Sequence, residues 1–72
     1  MQLGHFQQRI ADRVRTLRQE RGLRQEDLKR YGLAWKTIQK LEYGNTDPKA
    51  STLLKLATAF KMTVSDLLDF DP

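Results

Sequence analysis

The fold is decided by the stretch from Gln25 to Gly44, which reads QEDLKRYGLAWKTIQKLEYG. It contains two short segments with helical spacing of apolar residues, at about residues 25–31 and 34–43. Gly32 lies between them, and glycine allows the sharp backbone turn that other residues disfavour. Two helices joined by so short a turn have the geometry of a helix-turn-helix.

Three further helices are predicted around this stretch, at about residues 5–21, 50–60 and 64–69. Apolar residues recur three and four apart throughout, and no segment alternates for long enough to indicate a strand. We therefore expect an all-α protein of five helices, folded as one compact domain over residues 1–72, with the helix-turn-helix at helices 2 and 3.

The ends of the helices carry predictions of their own. Thr63 is expected to be the N-cap of the fifth helix, with Asp66 as its capping-box partner. Asp47 is expected to cap the fourth helix, with Pro48 at its first position. Arg24 precedes the second helix, where a Ser, Thr, Asp or Asn would be the better N-cap.

Composition excludes several classes of function. The 72 residues include no cysteine, so disulfides and thiolate metal sites are absent, and His5 is the single histidine. No metal site is expected, because no second ligand type clusters near His5 in sequence. The chain has no glycine-rich phosphate loop and no nucleophile motif. We expect no enzyme and no cofactor.

No apolar run approaches the roughly 18 residues that a membrane span needs, and the first residues do not resemble a signal peptide. A soluble, cytoplasmic protein is expected. The net charge of +4 is unevenly divided, with +6 in residues 1–40 and −2 in residues 41–72. This division suggests one side that faces an anion. Arg9, Arg13 and Arg15 are interpreted as surface residues, the first two within reach of phosphates.

The segment 34–43 carries its polar residues on one face. The exposed positions are Trp35, Lys36, Gln39, Lys40 and Tyr43. Such side chains donate hydrogen bonds to base edges or phosphates, and no acidic residue among them would repel DNA. Two interpretations of Trp35 stay open, since it either contacts DNA or folds over Tyr31. Tyr43 is interpreted as a packing residue at the end of the helix.

The order and spacing of several motifs resemble the XRE-type helix-turn-helix family, which includes Cro and the lambda-type phage repressors. The matching runs are IADRVRTLR (10–18), GL (22–23), QEDL (25–28), GL (32–33), TI (37–38), LEYG (41–44), Pro48, LLKLA (53–57) and LL (67–68). The resemblance covers about residues 10 to 68.

The resemblance implies a five-helix fold in which helix 34–43 is the recognition helix in the major groove. It implies that Trp35, Lys36 and Lys40 read bases with Gln39 alongside, and that Asn45 and Lys49 lie in a loop that grips the backbone. The DNA-contacting residues are then Gln25, Ala34, Trp35, Lys36, Thr37, Gln39, Lys40, Asn45 and Lys49. It also implies a partly buried ion pair between Arg18 and Glu42, which we assign to architecture.

The chain departs from the family pattern in the turn. Nine residues separate Leu28 from Ile38, one fewer than usual, and Lys29 stands where a small residue normally lets the two motif helices approach. Arg24 replaces the usual Ser or Thr cap. We expect the first motif helix to end early, at Tyr31, and the fold to be undisturbed.

The function expected is that of a sequence-specific transcriptional regulator, more a repressor than an activator. A homodimer through the C-terminal helix would present two recognition helices roughly 34–36 Å apart to a palindromic operator. The alternative is a protein-docking module of antitoxin type, with a toxin or other protein as partner. Apolar residues near the C-terminus support both ideas, namely Phe60, Leu67, Leu68 and Phe70.

Overall fold

The computed structural model describes residues 3–70, apart from the side chain of Leu3, and places five helices there. They are α1 (Leu3–Glu20), the 3₁₀ helix η1 (Gln25–Tyr31), α2 (Trp35–Tyr43), α3 (Ala50–Ala59) and α4 (Val64–Leu67). No strand occurs in the described part of the chain. The prediction of a compact all-α fold with five helices is confirmed.

One hydrophobic core receives side chains from every helix. Its large members with essentially no exposed surface are Ile10, Val14, Leu28, Ile38, Leu56, Phe60 and Leu67. Each such side chain contributes about 1.5–3 kcal/mol by leaving water. Because α2 supplies Ile38 and Leu41 to the core, its opposite face is turned to solvent.

The first motif helix has the predicted bounds but is a 3₁₀ helix instead of an α-helix. A 3₁₀ helix rises roughly 2.0 Å per residue, so its seven residues reach roughly 14 Å. The same residues in an α-helix reach roughly 10.5 Å. We infer that the tighter coil makes up the length lost with the missing turn residue. Gly32 then reverses the chain at φ 80°.

Lys29 does not take the place of a small residue between the motif helices. Its side chain is exposed and borders a groove beside Trp35 and Lys36, whereas Leu28 is fully buried. Lys29 therefore does not disturb the packing of the motif helices, as expected. The 3₁₀ geometry turns this position to the surface, so the shortened motif closes without a lysine in its interior.

Arg24 has its predicted position at the start of η1, whereas Asp47 does not have its predicted role. Arg24 is the N-cap of η1, and its backbone N–H donates to the Asp27 carboxylate at 2.7 Å. The Arg24 guanidinium also donates to this carboxylate, and these bonds hold the pKa of Asp27 below its ordinary value. Asp47 does not cap α3, which has Lys49 as its N-cap; Asp47 accepts instead from Gln7 Nε2 at 2.7 Å.

Thr63 is the N-cap of α4, as predicted, while the return bond from the Asp66 side chain that a capping box requires is not found among the described residues. The Thr63 hydroxyl oxygen accepts a hydrogen bond from the backbone N–H of Asp66 at 3.0 Å. A Thr at the N-cap satisfies one of the free N–H groups at the start of a helix. It therefore helps this four-residue helix to begin at Val64.

Arginines of α1 join it to the ends of other helices. Arg13 donates to the backbone carbonyls of Asp66 and Leu67, and Arg15 donates to the carbonyl of Glu42. At the end of α1, Arg21 donates to the Phe60 carbonyl and lies over its ring. The carbonyls at a helix C-terminus lack partners within the helix, so these guanidiniums complete their hydrogen bonding.

The ion pair between Arg18 and Glu42 joins α1 to α2. Arg18 donates to both carboxylate oxygens at 2.7 and 2.9 Å, and to the Leu23 carbonyl at 2.8 Å. The side chain of Glu42 is 5% exposed and that of Arg18 is 13% exposed. Hydrogen bonding to Glu42 raises the pKa of Arg18 above its ordinary value. The pair lies inside the fold and orients α2.

Arg18→Ala is expected to destabilise the chain by about 3 kcal/mol, because it leaves the Glu42 charge buried without its main partner. Urea unfolding measures this loss. Arg15→Ala is the matched control and should cost about 1 kcal/mol, since Arg15 is more exposed and lies 4.0 Å from the carboxylate. An Arg18→Met, Glu42→Met double variant should recover much of the loss. An unchanged midpoint for Arg18→Ala would contradict the architectural role of the pair.

Gly44→Ala is expected to destabilise the chain by about 1–2 kcal/mol, because φ at this position is 97° and an added Cβ would lie 2.6 Å from Gln8 Oε1. Thermal unfolding measures the change. Gly4→Ala is the control, since Gly4 lies in α1 with nothing within 4 Å of an added Cβ. That variant should be neutral or slightly stabilised. Equal stability of both variants would refute the requirement for glycine at the end of α2.

Candidate nucleic-acid interface

The outer face of α2 presents hydrogen-bond donors without a carboxylate. Trp35, Lys36, Thr37, Gln39 and Lys40 are all exposed, while Ile38, Leu41 and Glu42 are buried. Ala34 is the N-cap of the helix and is exposed. The separation follows from helical periodicity, since residues three and four apart share a face. A ligand that approaches the outer face of α2 therefore first contacts hydrogen-bond donors.

One groove joins the start of α2 to the start of α3. It has a volume of about 330 Å³, and its lining includes Ala34, Thr37, Lys40 and Lys49, which belong to the predicted set. Lys55 of α3 borders the same groove and donates to the Gly32 carbonyl at 3.3 Å. Asp47, also in the lining, is bonded to Gln7. The groove carries an excess of positive charge.

Trp35 borders two further grooves at the start of α2. In one it lies beside Lys29 and Lys36, and in the other beside Gln25. Its side chain is 46% exposed. Among residues 3–70, ring contact is found between Phe6 and Phe70 and not between Trp35 and Tyr31. Trp35 is thus a half-exposed residue of the outer face, and the alternative in which it folds over Tyr31 is not found.

The end of α2 borders a fourth groove, of about 320 Å³, lined by Gln39, Lys40, Tyr43 and Asn45. Tyr43 is 78% exposed. The interpretation of Tyr43 as a packing residue is therefore wrong. It follows Glu42, which turns inward, so the helical rotation of about 100° per residue carries Tyr43 away from the core.

Gln25 connects the motif to the buried ion pair. Its side chain is half-buried, and Nε2 donates to Glu42 Oε1 at 3.2 Å. This contact ties the start of η1 to the last turn of α2. The nine residues expected at the DNA, including Gln25, each border at least one of the four grooves around α2.

Arginines and lysines have different surroundings. Three arginines of α1 and Arg21, which follows the helix, bind carbonyls or carboxylates of the chain itself, so Arg13 is not free to reach a phosphate; the three are Arg13, Arg15 and Arg18. By contrast, four lysines near α2 make no side-chain hydrogen bond or ion pair within the described residues. They are Lys29, Lys36, Lys40 and Lys49.

The uneven charge of the two halves of the sequence does not correspond to two separate sides of the folded chain. Lys49 and Lys55 come from the acidic half of the sequence, yet they border a groove together with Lys40. Much of the basic excess of residues 1–40 is used in the internal contacts of α1. The lysine-lined groove beside α2 is therefore assembled from both halves of the chain.

Two residues that border grooves around α2, Lys29 and Lys55, are absent from the DNA-contacting residues that the sequence predicts. For Lys55 no local signal shows that it reaches Gly32. Tyr43 is among the positions that the sequence places on the exposed face, three positions after Lys40, but its interpretation as a packing residue is wrong.

The C-terminal apolar residues are largely inside the molecule. Phe60 and Leu67 are fully buried, and Leu68 and Phe70 are half-buried against the core. The Phe70 ring lies 6.1 Å from that of Phe6, measured between centroids. Phe60 and Leu67 therefore do not contribute to an exposed apolar patch at the C-terminus.

None of the helices in the described residues is both long enough and apolar enough to cross a membrane.

Comparison with known proteins agrees with this geometry. The chain is 40% identical over 62 residues to a protein named HTH-type transcriptional regulator DdrOP3, from Deinococcus deserti (strain VCD115). The match covers 85% of this chain and 48% of the relative, so the chain spans about half the length of the protein it matches. Residues 13–72 match the model of the Cro/C1-type HTH DNA-binding domain. This chain therefore belongs to the family of Cro/C1-type helix-turn-helix DNA-binding domains.

Proposed function

We propose that this chain binds double-stranded DNA sequence-specifically through α2 in the major groove, and that it regulates transcription in the cytoplasm as a repressor. The observation that carries the proposal is the outer face of α2, where exposed donors and unpaired lysines meet with no carboxylate on the helix surface. The relative named as a transcriptional regulator supports a regulatory role.

The first turns of α2 are proposed to read bases. In a helix-turn-helix, the N-terminal residues of the recognition helix contact base edges. Lys36 donates well to guanine O6 and N7, and Gln39 pairs in two-point fashion with adenine. Trp35, with about half of its surface exposed, is suited to contact with a thymine methyl group. Lys40 lies one turn after Lys36, where the base-reading row meets the grooves proposed for the DNA backbone.

The groove between α2 and α3 is proposed to hold the DNA backbone. Its lysines, Lys40, Lys49 and Lys55, give it the charge that a phosphate requires, and the Thr37 hydroxyl adds a neutral donor. Asn45 follows α2 in the adjoining loop. Each lysine that neutralises a phosphate releases counterions, so binding should weaken steeply as salt rises.

Gln25 has a more limited part in this proposal. Its amide nitrogen is directed at Glu42, so it supports α2 through that bond. The carbonyl oxygen of its amide cannot donate to a phosphate. Any contribution of Gln25 at the backbone would come from the amide hydrogen that Glu42 does not use.

A homodimer is proposed for the DNA-bound form. Two copies related by a twofold axis present their recognition helices about one DNA turn apart, which matches a palindromic site. The half-buried edge formed by Phe6, Leu68 and Phe70 supports α4 as the contact surface. The docking-module alternative has less support, since Phe60 and Leu67 lie inside the fold.

Selection of bound sequences from a random duplex pool tests the proposed function. We expect enrichment of a palindromic consensus by the 72-residue chain at moderate salt. Absence of enrichment even at low salt would overturn DNA binding as the function and favour the docking module, with a toxin or another protein as the partner.

Lys36→Ala is expected to weaken binding to the selected duplex by about 1–3 kcal/mol, because a two-point contact with a base is lost. Titration by fluorescence anisotropy measures it, with a mixed-sequence duplex alongside. Lys61→Ala is the control; Lys61 is exposed at the end of α3 and borders none of the grooves around α2. It should change affinity less than twofold. An equal loss on both duplexes would instead make Lys36 a phosphate contact.

Sedimentation of the chain with the selected duplex is expected to give two protomers per duplex. Phe70→Asp should reduce this to one, because a charge at the proposed contact opposes burial. Circular dichroism of the free variant checks that it remains folded. One wild-type protomer on a single half-site would contradict the dimer while leaving sequence-specific binding intact.

A further inference from the structure

The exposure of Tyr43 is not explained by a role in packing. It is a large aromatic residue in the last turn of α2, yet 78% of its surface is exposed. A tyrosine commonly buries its ring and bonds its hydroxyl. Here the hydroxyl has no partner among residues 3–70. The position therefore presents a free donor to whatever meets the outer face of α2.

The neighbours of Tyr43 are all suited to an anion. Gln39, Lys40 and Asn45 line the same groove, and every one of them can donate a hydrogen bond. No acidic residue lies in this lining. Lys40 provides the positive charge, while the other three donors are neutral. A phosphate oxygen is the acceptor in DNA that such a mixture fits best.

The position of Tyr43 along α2 indicates which part of the DNA it would meet. It follows Trp35 by eight residues, which is roughly 12 Å along the helix axis. The major groove is about 12 Å wide. If the first turns of α2 lie at the bases, its last turn lies at the edge of the groove, where the sugar-phosphate backbone runs.

We propose that the Tyr43 hydroxyl donates a hydrogen bond to a DNA phosphate held in the groove formed by Gln39, Lys40, Tyr43 and Asn45. This inference rests on the proposed function, since it needs α2 in the major groove. The contact is neutral, so it contributes affinity without neutralising a phosphate. It positions the end of the recognition helix and carries no sequence information.

Tyr43→Phe tests the proposal, because it removes the hydroxyl and leaves the exposed ring. We expect affinity to fall about threefold to tenfold, which corresponds to the net value of one hydrogen bond. The fall should be the same on the selected duplex and on a mixed-sequence duplex of equal length. The slope of log K against log salt should stay unchanged, because no charge is removed.

Two variants calibrate this measurement. Lys49→Ala removes a cation from the backbone groove and should lower the salt slope by about 0.9. Tyr31→Phe makes the same chemical change at a half-buried tyrosine that packs against the core, and should leave affinity unchanged. Thermal unfolding of each variant shows whether the fold is retained.

The outcomes separate this inference from the function on which it rests. Wild-type affinity for Tyr43→Phe on both duplexes would overturn the contact alone. A loss confined to the selected duplex would make Tyr43 a base-reading residue and also overturn the phosphate assignment. Failure of the unmodified chain to bind either duplex at low salt would overturn the proposed function, and this inference with it.

Discussion

The buried carboxylate of Glu42 is the constraint on which the structure depends. It accepts two hydrogen bonds from Arg18 and one from Gln25, so α1, η1 and α2 meet at one charged group. A buried charge without partners is strongly unfavourable. Turning α2 by one residue, about 100°, would withdraw Glu42 from them and expose Ile38. The pair therefore determines which face of α2 remains outside, and the proposed DNA-binding surface follows from that orientation.

Arginines and lysines have different roles in this small domain. Arginine has a planar group with several donors, which suits the carbonyls at helix ends and the carboxylate of Glu42. The arginines of α1 are used in this way. Lysine is a flexible point charge that remains hydrated. Four lysines around α2 have no side-chain partner among residues 3–70 and stay available for a ligand, namely Lys29, Lys36, Lys40 and Lys49. Net charge alone would not distinguish the two groups.

The shortened motif shows how a local change of helix type preserves a global arrangement. The stretch between Leu28 and Ile38 is one residue shorter than the family pattern, yet both side chains are fully buried. The 3₁₀ form covers more distance per residue, at the expense of poorer hydrogen-bond geometry. It also turns Lys29 to solvent. The departure from the family pattern thus leaves the core intact and alters the surface beside Trp35.

Sequence alone determined the number of helices, their approximate bounds and the apolar face of α2, because the spacing of Ile38 and Leu41 is a local property of a helix. Through the family resemblance it also predicted nine DNA-contacting residues, each of which borders a groove around α2. The tertiary structure decided what depends on contacts between distant residues. The Arg13 guanidinium is bound by carbonyls more than fifty positions away, and Lys55 joins the groove between α2 and α3 only because α3 packs beside the motif turn. The exposure of Tyr43 follows from the inward orientation of its neighbour, which three helices fix together.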